Sequence, residues 1–73
     1  MWKYEIPIGT LYIKRLNNGY YGFIYNNTVW DMCPSPQIVA DNVYTHCTGC
    51  YDWDSLDGRV LDAPTDIYEW ERM

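Results

Sequence analysis

Four side chains in this sequence could bind a metal or carry redox chemistry: Cys33, His46, Cys47 and Cys50. Zinc takes four thiolate or imidazole ligands in a tetrahedron, and these residues are of the right types. Their spacing argues against it. Neighbouring residues of a helix point about 100° apart, so His46 and Cys47 diverge, and no second Cys-x-x-Cys completes the set. A small zinc-stabilised module on Cys33, His46, Cys47 and Cys50 is therefore an alternative reading, and no cofactor is expected. Cys47-Thr-Gly-Cys50 also has the spacing of a dithiol redox pair. Such pairs open a helix, where the positive end of the dipole stabilises a thiolate. Here the pair falls at the end of an expected helix, with carboxylates beyond it. Both effects raise a thiol pKa and disfavour a redox enzyme. The remaining assignment makes Cys47 a core residue, Cys50 half-buried and His46 a helix-end cation.

The same stretch, "THCTGCYDWDSLDG", carries Asp52, Asp54 and Asp57. Their spacing is not that of a calcium loop, because Trp53 and Leu56 interrupt it and no Glu closes it. Asp52 is expected to cap a short turn while Trp53 and Leu56 face inward. With one histidine, no Ser/His/Asp set, no paired carboxylates and no glycine-rich phosphate loop, the chain reads as non-enzymatic.

Composition narrows the classes further. The 73 residues are enough for one small domain, 1–73, and too few for a deep enclosed active site. Aromatic residues make up 18% of the chain, which suits a folded core and argues against disorder. Charge is unevenly placed within the total of −5. Residues 1–30 hold Lys3, Lys14 and Arg15 against Glu5, a net of +2. Residues 31–73 hold seven Asp and two Glu against Arg59 and Arg72, a net of −7. That second half repels nucleic acid and suits a basic protein partner. No apolar run reaches the ~20 residues that span a bilayer. An odd number of cysteines does not suit a secreted disulfide framework. A cytoplasmic protein is expected.

The elements that must position these groups read as β, then α. "GTLYIKRL", "YYGFIYN" and "TVWD" are strand-like, separated by turn residues Asn17-Asn18-Gly19 and Asn26-Asn27. "WKYEIPI" is a further extended segment whose Pro7 suits an edge or a lead-in. Ser35 then caps a helix with Pro36 in its first position, and Val39, Val43 and Cys47 form its apolar stripe. Gly49 is expected to end it, so that the helix stops near Thr48. Beyond come a turn at Asp57-Gly58, a brief "RVL" strand and a short C-terminal helix in "PTDIYEW". The expected fold is α+β: a three-stranded antiparallel meander packed by one α-helix, then a short turn and a short C-terminal helix. One helix covers one sheet face. Tyr21, Phe23 and Tyr25 share a face, and Tyr20, Gly22 and Ile24 the other. Either Ile67 and Trp70 fold back over the second face, or rings are left exposed there as a protein-binding patch.

The stretch from about 35 to 70 resembles a group of short uncharacterised phage and mobile-element proteins, through Thr48, Gly49, Trp53, Asp54 and Trp70. The strand-helix order is also similar to the antitoxin half of HicAB-type modules, although their Pro-Gly strand motif is absent. The phage resemblance implies a non-enzymatic inhibitor of a host defence protein, of the anti-CRISPR or anti-restriction kind, in the cytoplasm of a bacterial cell. On that resemblance its carboxylates Asp52, Asp54, Asp57, Asp62 and Asp66 would mimic phosphates in a basic, nucleic-acid-handling partner, with Tyr21 and Tyr25 adding aromatic contacts. The HicB-like resemblance implies an antitoxin or regulator instead.

Overall fold

Turn chemistry sets the strand boundaries. Asn26 and Asn27 both take positive φ, 54° and 62°, as a tight two-residue hairpin turn requires. Gly19, at φ 84°, closes the preceding hairpin, where Leu16 N–H donates to the Tyr20 carbonyl at 2.7 Å. A computed structural model describes residues 1–56, 58–59 and 63–73. Between these turns run β1 (Trp2–Ile6), β2 (Gly9–Arg15), β3 (Tyr21–Tyr25) and β4 (Thr28–Cys33), each antiparallel to the next.

The three-stranded meander with two helices is corrected by this topology. The sheet has five antiparallel strands in the order β4-β3-β2-β1-β5. "WKYEI" is a full ladder strand, with Trp2 opposite Ile13 and Tyr4 opposite Leu11. Pro7 permits this because it lies just past the strand, in the turn to β2. The expected C-terminal helix is a single 3-10 turn, Ile67–Glu69, followed by β5 (Glu71–Arg72) paired with Trp2 and Lys3. Asp66 caps that turn by accepting the Tyr68 N–H, and Trp70 then turns the chain extended at ψ 147°. The expected "RVL" strand falls at Val60 and Leu61 and the Asp57-Gly58 turn at Asp57, outside the described residues.

One helix of more than a turn is present among the described residues, α1 (Pro36–Tyr44). The Ser35 hydroxyl accepts the Ile38 N–H at 3.2 Å and Pro36 occupies the first turn. The helix stops at Tyr44, short of Thr48. His46 rather than Gly49 takes the left-handed position, φ 57°, and the Cys47 N–H reaches back to the Asn42 carbonyl at 2.9 Å while that of His46 reaches Val43 at 3.1 Å. This is the Schellman arrangement that satisfies the last carbonyls of a helix. Val39, Ala40 and Val43 are buried, but Cys47 lies past the end and is exposed.

All helical elements described lie on one side of the sheet. Leu11, Ile13 and Phe23 line that face and are buried with Val39, Ala40, Val43, Trp53, Ile67 and Trp70. The C-terminal segment folds back onto this same face, against Tyr4, and leaves the opposite face to Tyr12, Lys14, Gly22 and Ile24. There Gly22 lets Leu16 and Val29 close over the sheet, since a Cβ would stand 3.1 Å from one and 3.2 Å from the other. Sidedness predicts unequal costs. In urea unfolding, Ile13→Ala should destabilise by about 2–5 kcal/mol and Met32→Ala by less than ~0.5; equal losses would place Met32 in a core.

Candidate functional site

Residues 45–56 build a structural knot rather than a thiol site. Cys50 precedes α2 (Tyr51–Asp54), a single helical turn that carries Trp53 into the core, fully buried. The Trp53 indole N–H donates to the Val43 carbonyl at 2.8 Å, and its ring meets Tyr4 of β1 edge-on at 6.3 Å. His46 stacks on that ring, with centroids 4.3 Å apart and planes 13° apart, and its Nδ1 lies 3.0 Å from the Trp53 carbonyl oxygen. This stacking helps to hold a non-glycine residue in the left-handed conformation.

Asp54 ties the other end. Its carboxylate accepts the Thr48 hydroxyl at 2.8 Å, the Gly49 N–H at 2.9 Å and the Thr48 N–H at 3.2 Å. The buried Thr48 hydroxyl in turn accepts the Cys50 N–H at 3.1 Å. Asp54 therefore holds the loop and is only partly exposed. Asp52 stands exposed in the first turn of α2, and Asp66 caps the 3-10 turn. Asp57 and Asp62 lie outside the described residues.

The cysteines do not converge. Among the described residues no three His, Cys, Asp or Glu side chains are grouped to hold a metal ion. Cys33 sits at the sheet end of α1, where its thiol faces Asp31 Oδ2 at 3.6 Å and Asn42 Nδ2 at 3.4 Å. Burial, reinforced by the Asp31 charge, pushes that thiol above its ordinary pKa. Cys50 is buried and Cys47 exposed, the reverse of the assignment made from periodicity. Because α1 stops at Tyr44, Cys50 sits ahead of α2 rather than at a helix C-terminus. Backbone N–H groups of Trp53 and Asp52 favour its thiolate, but burial is the larger effect and its pKa rises too.

Among the described residues, the expected acidic and aromatic groups are not brought together. Tyr21 and Tyr25 lie on the covered face, half-buried. Tyr21 packs on Trp2 with centroids 6.1 Å apart, and the Tyr25 hydroxyl donates to the Ile8 carbonyl at 2.9 Å. Asp52 and Asp54, on α2, belong to the helical layer on that side.

The uncovered face is a different surface. Tyr12 and Ile24 form its middle, half-buried, and Ile8 rims a groove of about 230 Å³ between the β1–β2 and β3–β4 turns. At its β4 side Val29, Trp30 and Met32 are 44%, 41% and 54% exposed. A bulge at Ile24 and Val29 offsets Trp30, whose indole N–H donates to the Tyr25 carbonyl at 3.1 Å. Sequence reasoning missed Tyr12, Ile24, Val29 and Met32 as site residues. The signal was available in the strand alternation, which puts Tyr12 and Ile24 opposite Leu11 and Phe23. Comparison with protein-family models, with curated proteins and with solved structures finds no match to this chain. Among the described residues no helix is long and apolar enough to cross a membrane.

Two outcomes follow from this geometry. Asp54→Asn should lower stability by about 1–2 kcal/mol in denaturant unfolding, because an amide oxygen replaces a charged acceptor for three donors; an unchanged midpoint would release Asp54 as a surface group. Native protein treated with iodoacetamide near pH 8 should be modified at Cys47, with Cys33 and Cys50 reacting only after unfolding. Burial raises the pKa of both, so their thiolates form above the ordinary thiol range. Rapid native labelling of Cys50 would contradict this.

Proposed function

We propose that this chain is a non-catalytic interaction module that holds a protein partner on its open sheet face. The observation that carries the reading is the set of exposed apolar side chains, Val29, Trp30 and Met32, beside Tyr12 and Ile24 on the one face without a helix among the described residues. Apolar patches of this kind mark interaction sites in small soluble domains, and aromatic residues and Met are enriched where interfaces are driest. The face carries little charge. Lys3 is paired with Glu5 at 3.4 Å and Glu71 at 3.7 Å, which leaves Lys14 as its free cation among the described residues. The partner it suits is one that presents apolar side chains.

A second reading rests on the charge partition. The strands carry most of the cations, while residues 31–73, which supply the helical layer, carry a net of −7. An acidic layer of this kind suits the basic groove of a nucleic-acid-handling host protein, the inhibitor role implied by the phage resemblance. In that reading Asp52 and the carboxylates around it make the contact, and Asp54 serves by holding the loop.

Capture from a bacterial cytosol separates the two, with Ile24→Lys and Asp52→Asn compared against the parent chain, each shown to be folded by circular dichroism. The open-face reading predicts a specific partner lost by at least about tenfold with Ile24→Lys and kept with Asp52→Asn, with little change between low and high salt. Loss with Asp52→Asn together with steep salt sensitivity supports the acidic layer instead. A partner indifferent to Ile24→Lys contradicts the open-face reading.

A further inference from the structure

Two turns at one end of the sheet are fastened to each other. The Tyr25 hydroxyl donates to the Ile8 carbonyl at 2.9 Å, across 17 residues of sequence. A Gly9 Cβ would stand 3.3 Å from the edge of the Tyr25 ring, so glycine, at φ 141°, lets the β1–β2 turn rest against it. The Trp30 indole holds Tyr25 in turn by donating to its carbonyl at 3.1 Å. These contacts fix both walls of the groove at this end, Ile8, Thr10 and Tyr12 on one side and Ile24, Asn26 and Asn27 on the other. The groove is therefore formed before anything enters it, which lowers the cost of binding there.

Size, charge and unused hydrogen-bonding groups select what fits. A volume of about 230 Å³ is below the range of pockets that hold drug-sized ligands, and suits one large side chain. Residues 6–13 and 16–30, which build the groove, contain no Lys, Arg, His, Asp or Glu. A charged group entering it would give up water and find no counter-charge. The Thr10 hydroxyl and the side-chain amides of Asn26 and Asn27 make no hydrogen bond to the described residues. A purely aliphatic occupant would bury these groups unpaired. An aromatic ring with a polar edge satisfies them and packs on Ile8, Ile24 and Tyr12. We propose that this groove is the anchor pocket of the open face and takes one uncharged aromatic side chain with a polar edge, Tyr or Trp, from a protein partner. The inference rests on the open-face reading and names the group that the face grips.

N-acetyl-L-tyrosinamide, titrated into the full isotope-labelled chain, tests this by NMR. It should shift the amides of Ile8, Thr10, Asn26 and Asn27 saturably, with a Kd in the millimolar range. N-acetyl-L-leucinamide should bind at least about threefold more weakly, and N-acetyl-L-lysinamide not measurably. Tyr25→Phe, shown to be folded by circular dichroism, loses the bond to Ile8 and should weaken the tyrosine probe by at least about threefold. Thr10→Val should weaken the tyrosine probe and spare the leucine probe, a split that a general loss of structure does not produce. Tyr51→Lys on α2, at a site 79% exposed, should change neither. Leucine binding as tight as tyrosine binding overturns the proposal, as do shifts that centre on Val29 and Met32 or scatter over the surface. Partner capture separates the groove from the reading beneath it. A partner lost with Met32→Lys but kept with both Tyr25→Phe and Thr10→Val removes the groove and leaves the open face standing. A partner indifferent to Met32→Lys and to Ile24→Lys removes both.

Discussion

The hydrogen bond from the Trp53 indole to the Val43 carbonyl is the contact on which the helical side of this protein depends. It joins the last turn of α1 to α2, 2.8 Å across a fully buried site, while the same ring rests on Tyr4 of β1 and under His46. Three separate pieces of chain are therefore fastened by one side chain. Truncating a buried Trp costs about 3–5 kcal/mol, against a total of roughly 4–11 kcal/mol for a domain this size.

What Trp53 fastens decides what is left open. The helix, α2 and the C-terminal segment all settle on the Leu11–Ile13–Phe23 face, where Trp70 and Tyr4 rings meet 5.7 Å apart. A domain this small has little chain with which to cover both faces of a sheet, and among the described residues the second is covered only by its own side chains. Gly22 makes that partial cover possible by letting Leu16 and Val29 lie across it. The same division sorts charge: Lys3, Lys14, Arg15 and Arg72 outnumber Glu5, Asp31 and Glu71 on the strands, while Asp41, Asp52, Asp54, Asp66 and Glu69 lie in the helical layer. A surface that is both acidic and aromatic, as composition suggests, is split into two by the fold.

Local signals in the sequence reached the turns and the helix start, because these depend on few residues. Asn and Gly tolerate the positive φ that Asn26, Asn27 and Gly19 take in their turns, and Ser35-Pro36 starts a helix by local hydrogen bonding. What was not legible depended on partners distant in the chain. The short stretch "ER" at 71–72 has no strand pattern of its own and pairs only because Trp70 anchors it beside Trp2. Gly49 looked like the better helix terminator, and it does take φ 83°, but three residues after His46 and five past the end of α1. His46 ends the helix because Trp53 stacks on it, a contact seven residues away that spacing cannot reveal. Asp54 was legible as a carboxylate, but its engagement by Thr48 and Gly49 was not.

Hydroxyl-radical footprinting of the dilute monomer, read by mass spectrometry, tests the one-sided packing most directly. The account predicts fast oxidation of Trp30 and Met32 and strong protection of Trp53 and Phe23, with Trp70 protected to a similar degree. Protection of Trp30 and Met32 in the monomer together with fast oxidation of Trp53 would contradict it.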